Sequence, residues 1–208
     1  MSKNFYRLFS VSILLIAAAC ATKTSSPPPL PEEKGLEEAI AEKQSITRIG
    51  TTFSVIFEKA DSEIRGEGVL DVSENGDLDL KVYSLGFLAL ELVSRNGIVK
   101  SNPGLDSSKK AILTQGLRDS IFWWDTKDFT ILEEGAFYLL RSAGREITVD
   151  KKSMLPVNQQ IFFADGKTIS VSYENPANEG NFRYQSKMRI ELSRYSVTLN
   201  IRNFSINR

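Results

Sequence analysis

The chain has 208 residues, 26 basic and 26 acidic side chains, no histidine and one cysteine. Balanced charge, without basic runs interleaved with aromatics, excludes a nucleic-acid partner. The missing histidine removes Ser-His and Cys-His nucleophile pairs and histidine metal sites, so the sequence reads as a non-enzyme with no metal and no cofactor.

The chain opens with Lys3 and Arg7 ahead of the apolar run Leu8–Ala19. That run is shorter than the ~20 residues that span a bilayer and has the length of a secretion signal. Ala17-Ala18-Ala19 place small side chains before Cys20, the only cysteine. The pattern resembles a bacterial lipoprotein signal, with residues 1–19 removed and Cys20 carrying the lipid (diacylglycerol and a palmitate-type acyl chain). Ala17 stands where such signals usually have Leu. An ordinary signal peptide cut near Ala19 is the alternative, and it leaves a secreted chain with a spare thiol. Ala21 is not Asp, so by the lipoprotein sorting rule the expected location is the bacterial outer membrane, lipid-anchored and facing the periplasm. Loss of Lys3 and Arg7 leaves the mature chain slightly acidic.

Residues 20–35 are the lipidated cysteine and a Pro-rich linker, TKTSSPPPLPEEKG over Thr22–Gly35. Such a segment favours extended polyproline II and reaches roughly 40 Å at ~3.1 Å per residue. The folded domain is expected over 36–208. Leu36, Ala39 and Ile40 have helical spacing, with Glu37 and Glu38 in the first turn. Period-two alternation then takes over: Ile49, Thr51, Phe53, Val55 and Phe57 share a face, and Leu78, Leu80 and Val82 share another after an Asn75-Gly76 hairpin signal. Leu88, Leu90 and Leu92 follow, and Asn96-Gly97 marks the next turn.

Asp106-Ser107-Ser108 can cap a helix through KKAILTQGLRDSIFWW, with Ile112, Leu113, Gly116, Leu117, Ser120 and Ile121 on one face and Trp124 continuing it. Trp123-Trp124 reads as one ring closing the core and one at its rim, or as a ligand platform. The second half is a meander with turns at Glu134-Gly135, Ala143-Gly144 and Asp165-Gly166. Met188, Ile190 and Leu192, then Tyr195, Val197, Leu199 and Ile201, alternate with polar residues, and the phase slips at Asn203–Phe204.

These segments amount to ten or eleven antiparallel strands and two helices, a mainly β (α+β) domain. A sheet that long curls. The reading preferred over a closed barrel is a curved antiparallel sheet forming an open half-barrel covered by the helices. An apolar concave face under a helical lid is a container for acyl chains. Its candidate cavity residues are Phe53, Phe57, Leu80, Leu90, Trp124 and Leu199. Large side chains such as Phe53, Phe57, Tyr138 and Phe162 either fill the concavity or ring an open one.

The order of anchor, helix, strand pairs, mid-chain helix and meander resembles the LolB family of outer-membrane lipoprotein receptors, within the LolA/LolB-like half-barrel superfamily. GEGVLDV, DLDLKVYSLGFLALELVSRNG, RDSIFWW, LPVNQQIFFADGKTISVSYEN and KMRIELSRYSVTLNIRNFSIN carry the likeness, over most of Phe53–Asn207. The resemblance implies an outer-membrane protein that takes lipoprotein acyl chains, or another lipid, into the half-barrel. A periplasmic LolA-type carrier as partner stays open. It also implies a protruding apolar residue in the loop Tyr83–Phe87 that passes cargo into the membrane, a role that falls to Leu85 first and Phe87 second. The plainer reading of both is that they finish strand faces. A Leu85→Glu change is expected to spare the fold and impair delivery.

Two other motifs have bland explanations. Asp71 to Asp79 imitates the start of a calcium loop, but the twelfth position is Val82 and Asn75-Gly76 already explains a hairpin. Glu133-Glu134 fits a solvated bend. The competing function is a structural or assembly lipoprotein of the envelope, whose sheet binds a protein partner and holds no lipid.

Overall fold

A computed structural model describes residues 35–60, 62–125 and 127–207. The expected signal at 1–19, Cys20 and nearly all of the 20–35 linker lie outside the described residues.

The first helix, α1 (Leu36–Gln44), buries Leu36, Ala39, Ile40 and Lys43, the i, i+3, i+4, i+7 stripe of one helical face. Five strands follow as a meander: β1 (Arg48–Lys59), β2 (Ser62–Ser73), β3 (Leu78–Ser84), β4 (Phe87–Arg95) and β5 (Ile98–Asn102). A second meander holds β6 (Thr130–Glu134), β7 (Phe137–Arg141), β8 (Arg145–Asp150), β9 (Leu155–Phe162), β10 (Thr168–Glu179), β11 (Phe182–Leu192) and β12 (Tyr195–Asn207). Every pairing between neighbours is antiparallel.

The first and last strands join the two meanders. β1 pairs with β2 on one side and with β12 on the other, so the sheet order is β5-β4-β3-β2-β1-β12-β11-β10-β9-β8-β7-β6. The edges are β5 and β6, and they do not pair with each other; the sheet is an open half-barrel of 12 strands. β5 and β6 are consecutive in the chain, so the segment between them has to travel from one edge to the other. It does so across the apolar face, as the helix α2.

Helix α2 is α-helical over Ser107–Ala111, π-helical over Ile112–Gly116 and α-helical again over Leu117–Ile121. Asp106 caps it, accepting from Lys109 N at 3.0 Å, as the sequence predicts. Gly116 lets the helix lie close on the sheet: a Cβ there would stand 3.2 Å from Ile190 Cγ2 and 3.3 Å from Ile169 Cδ1. The helix stops at Ile121, short of the predicted Trp124, and Phe122, Trp123 and Trp124 follow it fully into the core. Neither Trp sits at the rim.

The strand count exceeds the expected ten or eleven because five-residue edge strands such as β5 carry no readable alternation. The predicted phase slip near Asn203 is a bulge one residue earlier. Thr52 faces Asn203 and Phe53 faces Ile201, leaving Arg202 over, so Phe204 points to the core where Leu199 did before it. A second bulge was not legible: Val82 pairs Leu90 but Tyr83 pairs Leu88, leaving Ala89 over. Leu88 therefore leaves the face of Leu90 and Leu92 and is exposed. Asn75-Gly76 forms the predicted hairpin turn, with Asn75 Oδ1 accepting from Asp77 N at 3.0 Å. The acidic side chains beside it face arginines, Asp71 with Arg48 and Asp79 with Arg95.

Candidate functional site

The β3–β4 hairpin ends in a two-residue turn. Ser84 pairs Phe87, and between them Leu85 has φ +52° and Gly86 φ +82°. Positive φ at both central residues is the type I′ turn that suits the twist of a hairpin and favours Asn-Gly. The neighbouring β4–β5 hairpin obeys that preference with Asn96-Gly97 (φ +50° and +77°). The β3–β4 hairpin puts leucine in the same place, where a side chain other than that of Asn or Asp bears ~1–2 kcal/mol of strain. The side chain gains no burial in return, for Leu85 is 95% exposed and Phe87 78%. Tyr83, Leu88 and Ile64 are also exposed. Glu67 pairs Tyr83 and Ser84 Oγ donates to Arg65 O at 3.0 Å, which sets the Ile64 end of β2 beside the tip. An apolar cluster thus crowns one end of the sheet.

The inner face is packed. Phe53, Leu80, Trp124 and Leu199 are buried in one core with α1 and α2, while Phe57 and Leu90 are half-buried against it. Tyr138 also packs on that core, but Phe162 is exposed and fills nothing. Of the six candidate cavity residues, Trp124 lines the space left beneath the C-terminal end of α2. That space is about 20 Å³, bounded by Ser120, Trp123, Tyr173, Gln185 and Met188 among others. A single water needs ~10–15 Å³ on this measure, so an acyl chain enters only by displacing side chains. An open cleft of about 510 Å³ lies between α1 and β6, lined by Ile40, Ala41, Phe129 and Ile131 with Glu37 and Gln44 at its polar side.

Polar groups in this core were not legible in the sequence. Lys43, 8% exposed, lies with Nζ 4.0 Å from the Phe182 ring centre and 5.3 Å from that of Trp124, and donates to Arg183 O at 3.1 Å. Burial pushes its ammonium down to about 8; Glu42 opposes that shift and Arg183 adds to it. The only clue was its place at i+7 from Leu36. In the last turn of α2, Arg118 bonds Asp119 at 2.8 Å, and also Asp125 and the Glu74 carbonyl, and Arg145 lies 3.7 Å from Asp119 while donating to Asp125 O. This half-buried cluster around Asp119 ties α2 to β8 and to the β2–β3 turn. Burial, with the Arg118 charge adding to it, lowers the Arg145 guanidinium against the opposing pull of Asp119 and Asp125. Tyr173 Oη reaches Gln159 Oε1 at 2.5 Å and Ser120 O at 3.2 Å, and full burial pushes the phenol well above its ordinary range. Among the described residues no group of three acidic or cysteine side chains is placed to hold a metal ion, and no helix is long and apolar enough to cross a membrane.

No protein-family model matches the chain, and no curated protein matches it. Solved structures do match in fold. A LolA-superfamily protein from Nitrosomonas europaea aligns at 10% identity and TM-score 0.54, covering 82% of this chain and 93% of the other. A domain assigned to outer-membrane lipoprotein sorting, from Vibrio parahaemolyticus, aligns at 16% identity and TM-score 0.51, covering 84% and 93%. A DUF1329-family protein from Desulfovibrio piger aligns at 12% identity and TM-score 0.53, covering 83% and 90%. The fold is that of the LolA-like open half-barrel.

Proposed function

We propose that this protein is a lipid-handling lipoprotein, tethered to the outer membrane through Cys20 and facing the periplasm. It takes acyl chains of lipoproteins, or another lipid, onto its inner face and hands them to the membrane, in the manner of LolB-like receptors. The observation that carries the reading is Leu85, a fully exposed leucine held at positive φ with Phe87 beside it. Strain kept at an exposed apolar tip has no folding rationale and fits a group that enters a bilayer. The likeness in fold to a LolA-superfamily protein and to a domain assigned to outer-membrane lipoprotein sorting supports the same reading. The driving force is physical, ~0.8 kcal/mol per CH₂ removed from water, and no nucleotide or cofactor is called for. The cleft beside α1 offers the way in, and loading requires α1 or the side chains beneath α2 to give way.

The packed inner face favours a second reading, an assembly lipoprotein whose sheet binds a protein partner and holds no lipid. Mixing the protein with a triacylated lipoprotein and with its unacylated form separates the two. Capture of the acylated form alone supports lipid handling. Capture of neither supports the assembly reading. With Leu85→Glu, the lipid-handling reading expects capture to persist and delivery to vesicles to fail.

A further inference from the structure

The β3–β4 tip is apolar on both faces of the sheet, and the bulge in β4 is the cause. On β2 the positions Gly68, Leu70 and Val72 are buried while Glu67 and Val69 are exposed, so Glu67 stands on the outer face. Tyr83 pairs Glu67, and Leu88 pairs Tyr83, which puts both apolar side chains on that outer face. Phe87 opposite Ser84, and Ile64 opposite Phe57, belong to the inner face. With Ala89 kept in register, Leu88 would instead continue the inner row of Leu90 and Leu92. Leu85 stands at the apex, in the turn that joins the two strands.

Closed ion pairs bound this tip. The next row down the outer face sets Lys81 opposite Glu91, 3.5 Å apart, and Glu67 beside Tyr83 meets Arg202 at 2.7 Å. On the neighbouring β1–β2 hairpin Arg65 bonds Glu63. Lys81, Arg202 and Arg65 are each matched by a carboxylate, so none is left to attract an anionic surface. Two cations at this end of the sheet meet no carboxylate among the described residues, Lys59 and Arg194. They lie against the Tyr195 ring, at 5.8 and 5.4 Å from its centre, where β1 pairs β12. A protein partner covers one face of a hairpin. Burying the outer pair, the inner pair and the apex together needs a medium that closes around them, as fluid hydrocarbon does.

We infer that the β3–β4 hairpin enters a lipid bilayer end-on, with both faces in lipid down to the Tyr83–Leu88 pair, and that apolar burial rather than attraction to anionic headgroups holds it there. The inference rests on the membrane reading of Leu85 above. From Leu85 back to Tyr83 is ~7 Å at ~3.4 Å per residue, the depth at which interfacial apolar elements sit. Tyr83 then lies at headgroup level, where a ring with a polar end is favoured, and the Lys81–Glu91 pair stays in water.

The test uses the full-length Cys20→Ser protein, which has no other thiol, and attaches a polarity-sensitive fluorophore at one position at a time: Leu85→Cys, Phe87→Cys, Leu88→Cys and, in the Lys81 row of the outer face, Val69→Cys. Phosphatidylcholine vesicles containing brominated lipid supply the bilayer and the quencher. Quenching at positions 85, 87 and 88 but not at 69 is expected, and it should persist in about 1 M salt, where charges are screened beyond ~3 Å. Adding Leu88→Glu to the protein labelled at position 85 is expected to weaken partitioning roughly tenfold or more. Quenching at positions 85 and 87 without 88 overturns end-on entry and leaves the tip on the membrane by one face. Binding that requires phosphatidylglycerol and is lost in salt assigns it to Lys59 and Arg194 and overturns the apolar mechanism. Quenching at none of the positions removes the membrane reading of Leu85 and this inference with it.

Discussion

Replacing Leu85 with asparagine separates folding from membrane contact, because the two respond with opposite sign. In the I′ turn asparagine tolerates φ +52° where leucine is strained by ~1–2 kcal/mol, and the 95% exposed leucine has almost no packing to lose. Leu85→Asn should therefore stabilise the fold by ~0.5–1.5 kcal/mol in urea unfolding followed by the buried tryptophans. Insertion of that side chain into a bilayer is worth ~1.5–3 kcal/mol, so vesicle partitioning should fall roughly tenfold to hundredfold. Flotation with liposomes measures it, on a Cys20→Ser background so that no acyl anchor masks the hairpin. Unchanged partitioning would refute the assignment of the tip to the membrane. A loss of stability would refute the account of the turn.

Two further changes test the packing of the core. Lys43 titrates near 8 when folded and at its ordinary value of 10.5 when unfolded. Between those values the unfolded chain holds a proton that the native chain lacks, so stability relative to Lys43→Met should rise with pH, by up to ~3 kcal/mol, and level off below about pH 8. A pH-independent difference between the two proteins would contradict the burial of the ammonium. Gly68 on β2 lies directly under the Phe53 ring, and a Cβ there would fall inside the ring's van der Waals contact. Gly68→Ala should lose ~1–3 kcal/mol and be partly rescued by Phe53→Leu in a double-mutant cycle, while additivity would show that the two sites do not touch.

The sequence by itself determined the strand faces other than that of Leu88, the Asn75-Gly76 and Asn96-Gly97 turns, the Asp106 cap and the helix–sheet composition, because each is encoded within a few residues of chain. Alternation and turn chemistry even placed the slip in β12 to within two residues. Tertiary structure alone decided that β1 lies against β12, which forces α2 across the open face between the two edges. It also decided that Lys43 is buried against Phe182 and Arg183, some 140 positions away, and that Arg118, Asp119, Asp125 and Arg145 close on one another. The polar signs of those residues read as surface, since hydropathy along the chain cannot report which partners a fold brings to a side chain. Leu85 was legible as an apolar loop residue; its strain was not, because φ is set by the two-residue turn that the β3–β4 register demands. The concave face was legible as apolar, but whether it stands open is a matter of how many side chains from α1, α2 and the sheet meet in one volume, and that sum exists only in the folded chain.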